Sequence, residues 1–276
     1  MKKILIFIIA LASATAISAQ DLTILHLNDT HSHVEPERLG DITGHGGIIE
    51  QAVYITDVRK EMGEDNVLLL HAGDFSQGTS YFTELEGQME IDYINTIGYD
   101  VVTLGNHEFD NGISVLAKRL VQLKCPVVCA NYDFSTTELA DIVKPYAIVN
   151  KAGKKIGVIG ILTDLRTVVD QGINQGMAYM DPIPVAQKHI DYLRNEQGCD
   201  LVICLTHLGD KANKTKGAVI DQHLVAGTTG VDIVVGGHAH TKIDELQVWK
   251  NAAGEDVIYV TDSQWGLEIG RLDVKF

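Results

Sequence analysis

Residues 101–110 of the chain read VVTLGNHEFD. The first four, Val101–Leu104, have the length and composition of a strand that is buried on both faces. Gly105 allows the backbone to turn sharply where the strand ends, and an amide, an imidazole and carboxylates follow at once. The order of strand, then glycine, then potential metal ligands recurs along the chain. This recurrence decides the fold class and locates the candidate site.

Four further predicted strands are followed directly by side chains of the kinds that bind metal ions. The strands are Leu22–Asn28, Asn66–His71, Leu201–Thr206 and Val231–Val235, and the side chains after them are Asp29 and His31, Asp74, His207, and His238 with His240. In open α/β sheets the ligand site lies beyond the carboxyl ends of the strands, so the five clusters are expected to converge on one rim. One such cluster is weak evidence, because a His-x-His pair is often a surface pair. Five clusters after five strands predict a metal site.

The residue types indicate which metal chemistry the site would support. Imidazole and carboxylate ligands without thiolate suit Zn, Mn or Fe and differ from a closed, Cys-rich structural site. Two aspartates, the amide of Asn106 and four histidines are too many ligands for one ion and suit two. In such a pair one carboxylate usually bridges the ions, and a bound water is deprotonated near neutral pH.

Elsewhere short apolar runs alternate with longer amphipathic segments, which is typical of an α/β chain. The remaining strands are predicted at Pro126–Asn131, Ile156–Leu162, Val257–Thr261 and Glu268–Phe276, the last two as a hairpin. Helices are predicted at Gly47–Met62, Thr83–Ile97, Ile113–Lys124, Pro184–Gln197 and Ala218–Gly227. The length fits one compact domain, since single cores stop growing near ~250–300 residues.

The amino-terminal segment, residues 1–19, is predicted to be a secretory signal peptide. Two lysines after Met1 precede the apolar run Ile4–Leu11, and small residues lead to a cleavage site after Ala19. The run is well short of the ~20 apolar residues that a spanning helix needs. We therefore expect an exported protein, periplasmic or extracellular, without stable membrane insertion, whose catalytic domain is residues 20–276.

The net charge bears on the class of partner, and the positions of the cysteines bear on their burial and on disulfide pairing. The chain has 22 basic and 37 acidic residues, a formal net charge of −15, which repels nucleic-acid backbones and predicts no nucleic-acid binding. Cys129 and Cys204 lie inside apolar runs and are expected to be small core residues. Cys125 and Cys199 lie at element edges, and the sequence leaves any disulfide pairing open.

The five clusters, taken in order, resemble the motifs of the calcineurin-like metallophosphoesterases. The run Asn106–Asp110, the run Leu25–Asp29 and the pattern Gly73-Asp74-Phe75-x-x-Gly78 are similar to the 5′-nucleotidase branch of that superfamily. The resemblance covers the whole chain after the signal segment and implies a four-layer αββα sandwich. It also implies two divalent metal ions, the first held by Asp29, His31, Asp74 and His240 and the second by Asp74, Asn106, His207 and His238, with Asp74 bridging.

The resemblance further implies a catalytic dyad of His107 and Asp110. His107 would contact the phosphate or assist the leaving alkoxide, and Asp110 would hold its tautomer. The implied reaction is hydrolysis of nucleoside 5′-monophosphates to nucleoside and phosphate through a hydroxide shared by the two metals. Two alternatives stay open: a phosphodiesterase or pyrophosphatase acting on 2′,3′-cyclic nucleotides, nucleotide sugars or dinucleotides, and a non-catalytic metal-binding subunit.

Nucleotidases of this branch carry a second, carboxy-terminal domain that supplies an aromatic clamp for the base. The sequence ends at Phe276 without an equivalent segment. We therefore expect a small phosphorylated substrate, a nucleotide, and base recognition that either comes from a separate chain or is weak. The sequence leaves open whether His33 contributes to the site at the rim or lies behind it in a solvated position. Nothing in the sequence gives Glu108 a chemical role.

Overall fold

The computed structural model describes residues 21–210 and 218–276, so the predicted signal segment lies outside the described residues. The described strands are β1 Leu22–Leu27, β2 Val67–His71, β3 Val101–Thr103, β4 Val127–Val128, β5 Tyr132–Asp133, β6 Val143–Lys144, β7 Tyr146–Lys151, β8 Lys154–Leu162, β9 Ala178–Tyr179, β10 Leu201–His207, β11 Ile233–Val235, β12 Gln247–Lys250, β13 Asp256–Val260 and β14 Gly270–Val274. The α-helices are α1 Ile48–Met62, α2 Ser80–Leu85, α3 Gln88–Ile97, α4 Ile113–Leu120, α5 Pro182–Asp191 and α6 Asp221–Gly227. A short 3₁₀ helix covers His107–Phe109, and α5 continues into a π-helical turn at Tyr192–Glu196.

Two six-stranded sheets form the centre of the fold. The first has the order β14-β1-β2-β3-β4-β6, and the second has the order β12-β13-β11-β10-β8-β7. The strands inside each sheet run parallel, while β14, β12 and β7 are antiparallel edge strands. The inner strands are apolar on both faces because both faces are covered.

Three separate apolar cores show that the sheets and helices form four layers. On β2, Leu69 packs with residues of α1, α3 and α4, while Leu68 and Leu70 point the opposite way. The latter two meet residues such as Ile203 of β10, so the two sheets pack face to face. A third core joins the outer face of the second sheet to α5 and α6. The predicted αββα sandwich is therefore confirmed.

The predicted hairpin at the carboxyl end of the chain is wrong. Strand β13 lies in the second sheet beside β11 and β12, whereas β14 crosses over and pairs with β1 of the first sheet. The residues between them, 261–269, are too many for a tight turn, and apolar pattern alone does not specify a strand's partner. Similarly, the predicted helix Thr83–Ile97 is two helices, because Glu86 and Gly87 both adopt left-handed backbone (φ 50° and 87°).

The structure also describes the four cysteines, and two histidines that lie inside strands. All four cysteines are free thiols, and Cys129 and Cys204 are buried. His26 and His71, which lie inside the apolar strands β1 and β2, are buried too. No helix within residues 21–210 and 218–276 is long and apolar enough to cross a membrane.

Candidate metal centre

The carboxyl ends of β1, β2, β3, β10 and β11 meet at one rim, where the two sheets adjoin. Three overlapping groups of candidate ligands form there, and within each group the ligand atoms lie within 4.8 Å of one another. The groups are Asp29, His31 and His240; His31, Asp74 and His107; and Asp74, His207 and His238. The convergence predicted from strand ends is thus present in the structure, although it draws on both sheets.

The separations between individual atoms are short. Nε2 of His240 lies 3.3 Å from Oδ1 of Asp29 and 3.0 Å from Nε2 of His31. Nε2 of His207 lies 2.9 Å from Oδ2 of Asp74. Oδ2 of Asp74 also lies 3.9 Å from Nε2 of His31, so this carboxylate is close to both outer groups, as a bridging carboxylate has to be.

The two residues that flank Asn106 both contact Asp74. The amide N–H of His107, the next residue, donates to Oδ1 of Asp74 at 2.8 Å. Gly105, on the other side, is pressed so closely against Asp74 that an added Cβ would lie 2.2 Å from Oδ1. The glycine after β3 is thus needed for close approach of two loops, in addition to its part in the turn.

Several buried polar atoms at this rim have no hydrogen-bond partner among the described residues. They are Nδ1 of His31, Oδ1 of Asn106 and Nε2 of His207. At His207, Nδ1 donates to the carbonyl of Ala72 at 2.8 Å, so Nε2 is the nitrogen that faces the site, 2.9 Å from Oδ2 of Asp74 but without hydrogen-bond geometry to it. Buried groups of this kind are normally paired, and nitrogen and oxygen donors without thiolate suit Zn, Mn or Fe. The residues present fit divalent cations.

The backbone at this rim is unusual. Five of the seven predicted ligands have φ between +49° and +78°, namely Asp29, His31, Asp74, His238 and His240. Non-glycine residues rarely adopt this left-handed conformation, and it persists only where surrounding contacts impose it, at a cost of about 1–3 kcal/mol each. Strain concentrated in one cluster is typical of a functional site.

Burial and charge set the protonation of the cluster. Burial alone would raise the pKa of Asp74, but the facing imidazole of His207, with His31 and His107, holds that pKa below its usual range. Burial lowers the pKa of His31 and lowers that of His238 to about 4. The imidazoles of His31 and His238 are therefore neutral and have the lone pairs that metal coordination requires. At His207 burial opposes protonation, but the charges of Asp74 and Asp29 raise its pKa to about 10.

His107 and Asp110 form a direct contact at the edge of the cluster. Nδ1 of His107 lies 2.7 Å from Oδ2 of Asp110, and the His107 ring is 5.3 Å from that of His31. The side chain of His107 is 31% exposed, so substrate can reach it. Burial opposes protonation, but the hydrogen bond to Asp110 and the charge of Asp74 raise the pKa of His107. The geometry also permits His107 to be a ligand beside His31 and Asp74.

Two residues near the site had no role in the sequence analysis. Glu108 is buried and accepts hydrogen bonds from backbone N–H groups of two ligand-bearing loops. Trp265 donates its backbone N–H to the carbonyl of Asp29 at 2.7 Å, and its ring stacks on that of His33 at 4.6 Å. His33 also contacts Glu37 and belongs to none of the three ligand groups. In the sequence, the position of Glu108 among potential metal ligands could have indicated a role at the site. No sequence feature distinguishes Trp265 in this way.

The comparisons with known proteins point to one family. The chain matches the calcineurin-like phosphoesterase family over residues 22–242. It is 33% identical to a probable 5′-nucleotidase of Treponema pallidum, over 93% of this chain and 45% of that protein. Among solved structures it is similar to the 5′-nucleotidase precursor of Thermus thermophilus, with 33% identity and a TM-score of 0.80 over 93% of this chain and 51% of that one.

The NAD nucleotidase of Haemophilus influenzae is also similar, with 31% identity and a TM-score of 0.78 over 93% of this chain and 53% of that one. The chain thus spans about half the length of these relatives. Since the family match covers most of the sequence, the chain belongs to the calcineurin-like phosphoesterases, a family of metal-using phosphoester hydrolases.

Proposed function

We propose that residues 20–276 form the catalytic domain of an exported phosphomonoesterase of 5′-nucleotidase type, which hydrolyses nucleoside 5′-monophosphates to nucleoside and phosphate. The observation that carries the proposal is the meeting of candidate ligands from five strand ends at one rim, beside the His107–Asp110 contact. A purely structural role would not require several buried polar atoms without hydrogen-bond partners, together with five residues of left-handed backbone conformation, in one cluster.

The proposed ligand sets are those that the sequence resemblance implies, and each contains one of the groups in the structure, Asp29, His31 and His240 or Asp74, His207 and His238. One divalent cation is assigned to Asp29, His31, Asp74 and His240, and the other to Asp74, Asn106, His207 and His238. Zn, Mn and Fe each suit these donors. Such a pair, when bound, supplies Lewis acidity toward the phosphate and makes water nucleophilic at neutral pH.

The remaining steps are assigned to the chain's own side chains. Asp110 engages Nδ1 of His107, so Nε2 is the nitrogen left to contact a phosphate oxygen or to donate a proton to the leaving alkoxide. The raised pKa of His107 favours its protonated form, which suits both tasks. The negative charge of Asp110 keeps the imidazole oriented while it does so.

The substrate class is supported by the relatives rather than by a described base pocket. The Treponema protein is named a probable 5′-nucleotidase, and the Thermus protein a 5′-nucleotidase precursor. The likeness to an NAD nucleotidase favours, as a second candidate, hydrolysis of dinucleotides or related phosphoric diesters and anhydrides. The proposal that a separate chain completes base recognition rests on the sequence resemblance.

A substrate panel tests the proposal. With Mn²⁺ or Zn²⁺ present, kcat/KM for nucleoside 5′-monophosphates is expected to exceed that for glycerol 2-phosphate by about tenfold or more, as one good binding contact to the nucleoside would give. Initial rates of phosphate release measure this. Preference for 2′,3′-cyclic nucleotides, nucleotide sugars or NAD would favour the second candidate, and no release from any substrate would contradict both.

Metal binding is expected to stabilise the fold. At about one hundred times the dissociation constant, a ligand adds about 2.7 kcal/mol, which corresponds to a Tm increase of about 5–10 °C for a chain of this size. Thermal unfolding with Mn²⁺ or Zn²⁺, and again with a chelator, measures it.

The matched control for this measurement is His189→Ala, which removes a histidine from α5, away from the candidate ligands. It should keep the metal-dependent increase in Tm, whereas His240→Ala should lose part of it. An unchanged Tm in the unaltered protein over the whole range of metal concentration would contradict the ligand assignment.

A further inference from the structure

One short segment, Gly73–Ser76, lies between two other ligand-bearing loops and bonds to both. On one side its carbonyl groups at residues 73, 74 and 75 accept the amide N–H groups of Asp29, His31 and Ser32 at 2.9, 3.0 and 3.0 Å. The loop after β1 is thus held to the loop after β2 residue by residue. The position of the first group of candidate ligands depends on where Gly73–Ser76 lies.

On its other side the same segment is held by the carboxylate of Glu108. Oε2 accepts the N–H of Asp74 at 2.9 Å and that of Gly105 at 2.5 Å, and Oε1 accepts the N–H of Ser76 at 3.0 Å. Glu108 is only 3% exposed, so water does not compete for these bonds. One side chain therefore ties the loop after β2 to the loop after β3.

The two loops joined by Glu108 are in van der Waals contact. A Cβ on Gly73 would lie 2.6 Å from the backbone nitrogen of Gly105, so neither loop can shift without moving the other. A lost bond at Glu108 would therefore displace the Asp74 carboxylate directly. This carboxylate is the one shared by the two proposed ligand sets.

We propose that Glu108 is a positioning residue of the metal centre: its carboxylate fixes Gly73–Ser76 between the neighbouring loops and thereby sets the separation of the two ligand groups on either side of Asp74. This inference rests on the ligand assignment proposed above. A carboxylate is required because it accepts through both oxygens, whereas an amide presents one acceptor and one donor to three N–H groups. Groups that orient ligands in this way typically change metal affinity or activity by about 10–100-fold when they are replaced.

The test is Glu108→Gln in the full chain, which keeps the shape and removes one acceptor. We expect retained secondary structure by circular dichroism and an affinity for Mn²⁺ that is lower by about 10–100-fold in calorimetric titration. We also expect loss or alteration of the spin-coupled electron paramagnetic resonance signal of a Mn²⁺ pair. That signal depends on the separation of the ions and would not respond to a loss of stability alone.

The matched control is Asp100→Asn. Asp100 is also a carboxylate that accepts a backbone N–H of the first sheet, that of Leu69 on β2 at 2.8 Å, but it pairs with Lys151 and takes no part in the ligand groups. This variant should lower Tm while leaving the Mn²⁺ affinity within about twofold and the paired-Mn²⁺ signal unchanged, since the bond it loses is structural.

The outcomes separate this inference from the proposed function. If Glu108→Gln binds two Mn²⁺ ions with unaltered affinity and signal, the positioning role is wrong while the ligand assignment stands. If it weakens binding no more than Asp100→Asn does, Glu108 is structural only. If it does not fold, Glu108→Asp, a carboxylate one methylene shorter, takes its place under the same criteria. Absence of Mn²⁺ binding in the unaltered protein would refute the ligand assignment and the inference together.

Discussion

Replacing Asp74 by alanine is expected to abolish phosphoester hydrolysis and to leave the protein unable to hold two divalent ions. Asp74 lies in two of the three ligand groups, and its Oδ2 is 2.9 Å from Nε2 of His207. Loss of the shared carboxylate would remove several kcal/mol of transition-state stabilisation, which is about 10³-fold or more in kcat/KM. Steady-state kinetics together with metal analysis of the dialysed protein measure both effects.

The control is Asp57→Ala, which removes an exposed carboxylate from α1, where it pairs only with Lys60 among the described residues. It should keep both ions and full activity. Two ions per molecule in the Asp74→Ala protein, with kcat/KM within about tenfold of the unaltered enzyme, would contradict the bridging role.

Replacing His107 by alanine is expected to lower kcat by about 10²–10⁴-fold while both metal ions stay bound, because general acid catalysis contributes effects of this size. The loss should shrink for p-nitrophenyl phosphate, whose leaving group departs without a proton. A loss of equal size for all substrates would instead assign His107 to contact with the phosphate. Asp110→Asn should lower kcat in the same direction, because it removes the charge that orients His107 through Nδ1.

His45→Ala, which removes an exposed loop histidine, is the control and should leave kcat unchanged. Unchanged kcat in His107→Ala would remove His107 from the mechanism. Loss of one metal ion in that variant would show that His107 is a ligand, as its place beside His31 and Asp74 permits.

Much of the fold could be predicted because each inner strand carries its own signal. Strands such as β2 and β10 are apolar on both faces, and this pattern indicates a sheet covered on both sides whatever its neighbours are. The edge strands β7 and β12 were also missed. Three of the four residues of β12 are exposed, so this strand has no apolar pattern. The partner of β14 was predicted wrongly, because pairing across the molecule leaves no mark in a local stretch of sequence.

The sequence predicts which residues are candidates for the site, but it does not predict the contacts that hold those residues in place. Glycine followed by Asp74 or by Asn106 at a strand end marks a side chain at the rim, and parallel strands bring such ends together. Glu108 was not assigned a role because its task depends on N–H groups of residues 74, 76 and 105, which meet only when two loops pack against each other.

By itself, then, the amino-acid sequence determined the α/β class, the strand ends that carry ligands, and the chemistry of those ligands, since each depends on periodicity or on residue type over a few neighbouring positions. Tertiary structure alone decided that the ligands come from strand ends of both sheets, and that Glu108 and Trp265 support the site. These features depend on contacts between residues far apart in the chain. Such contacts are set by how the layers pack as a whole, which no short stretch of sequence specifies.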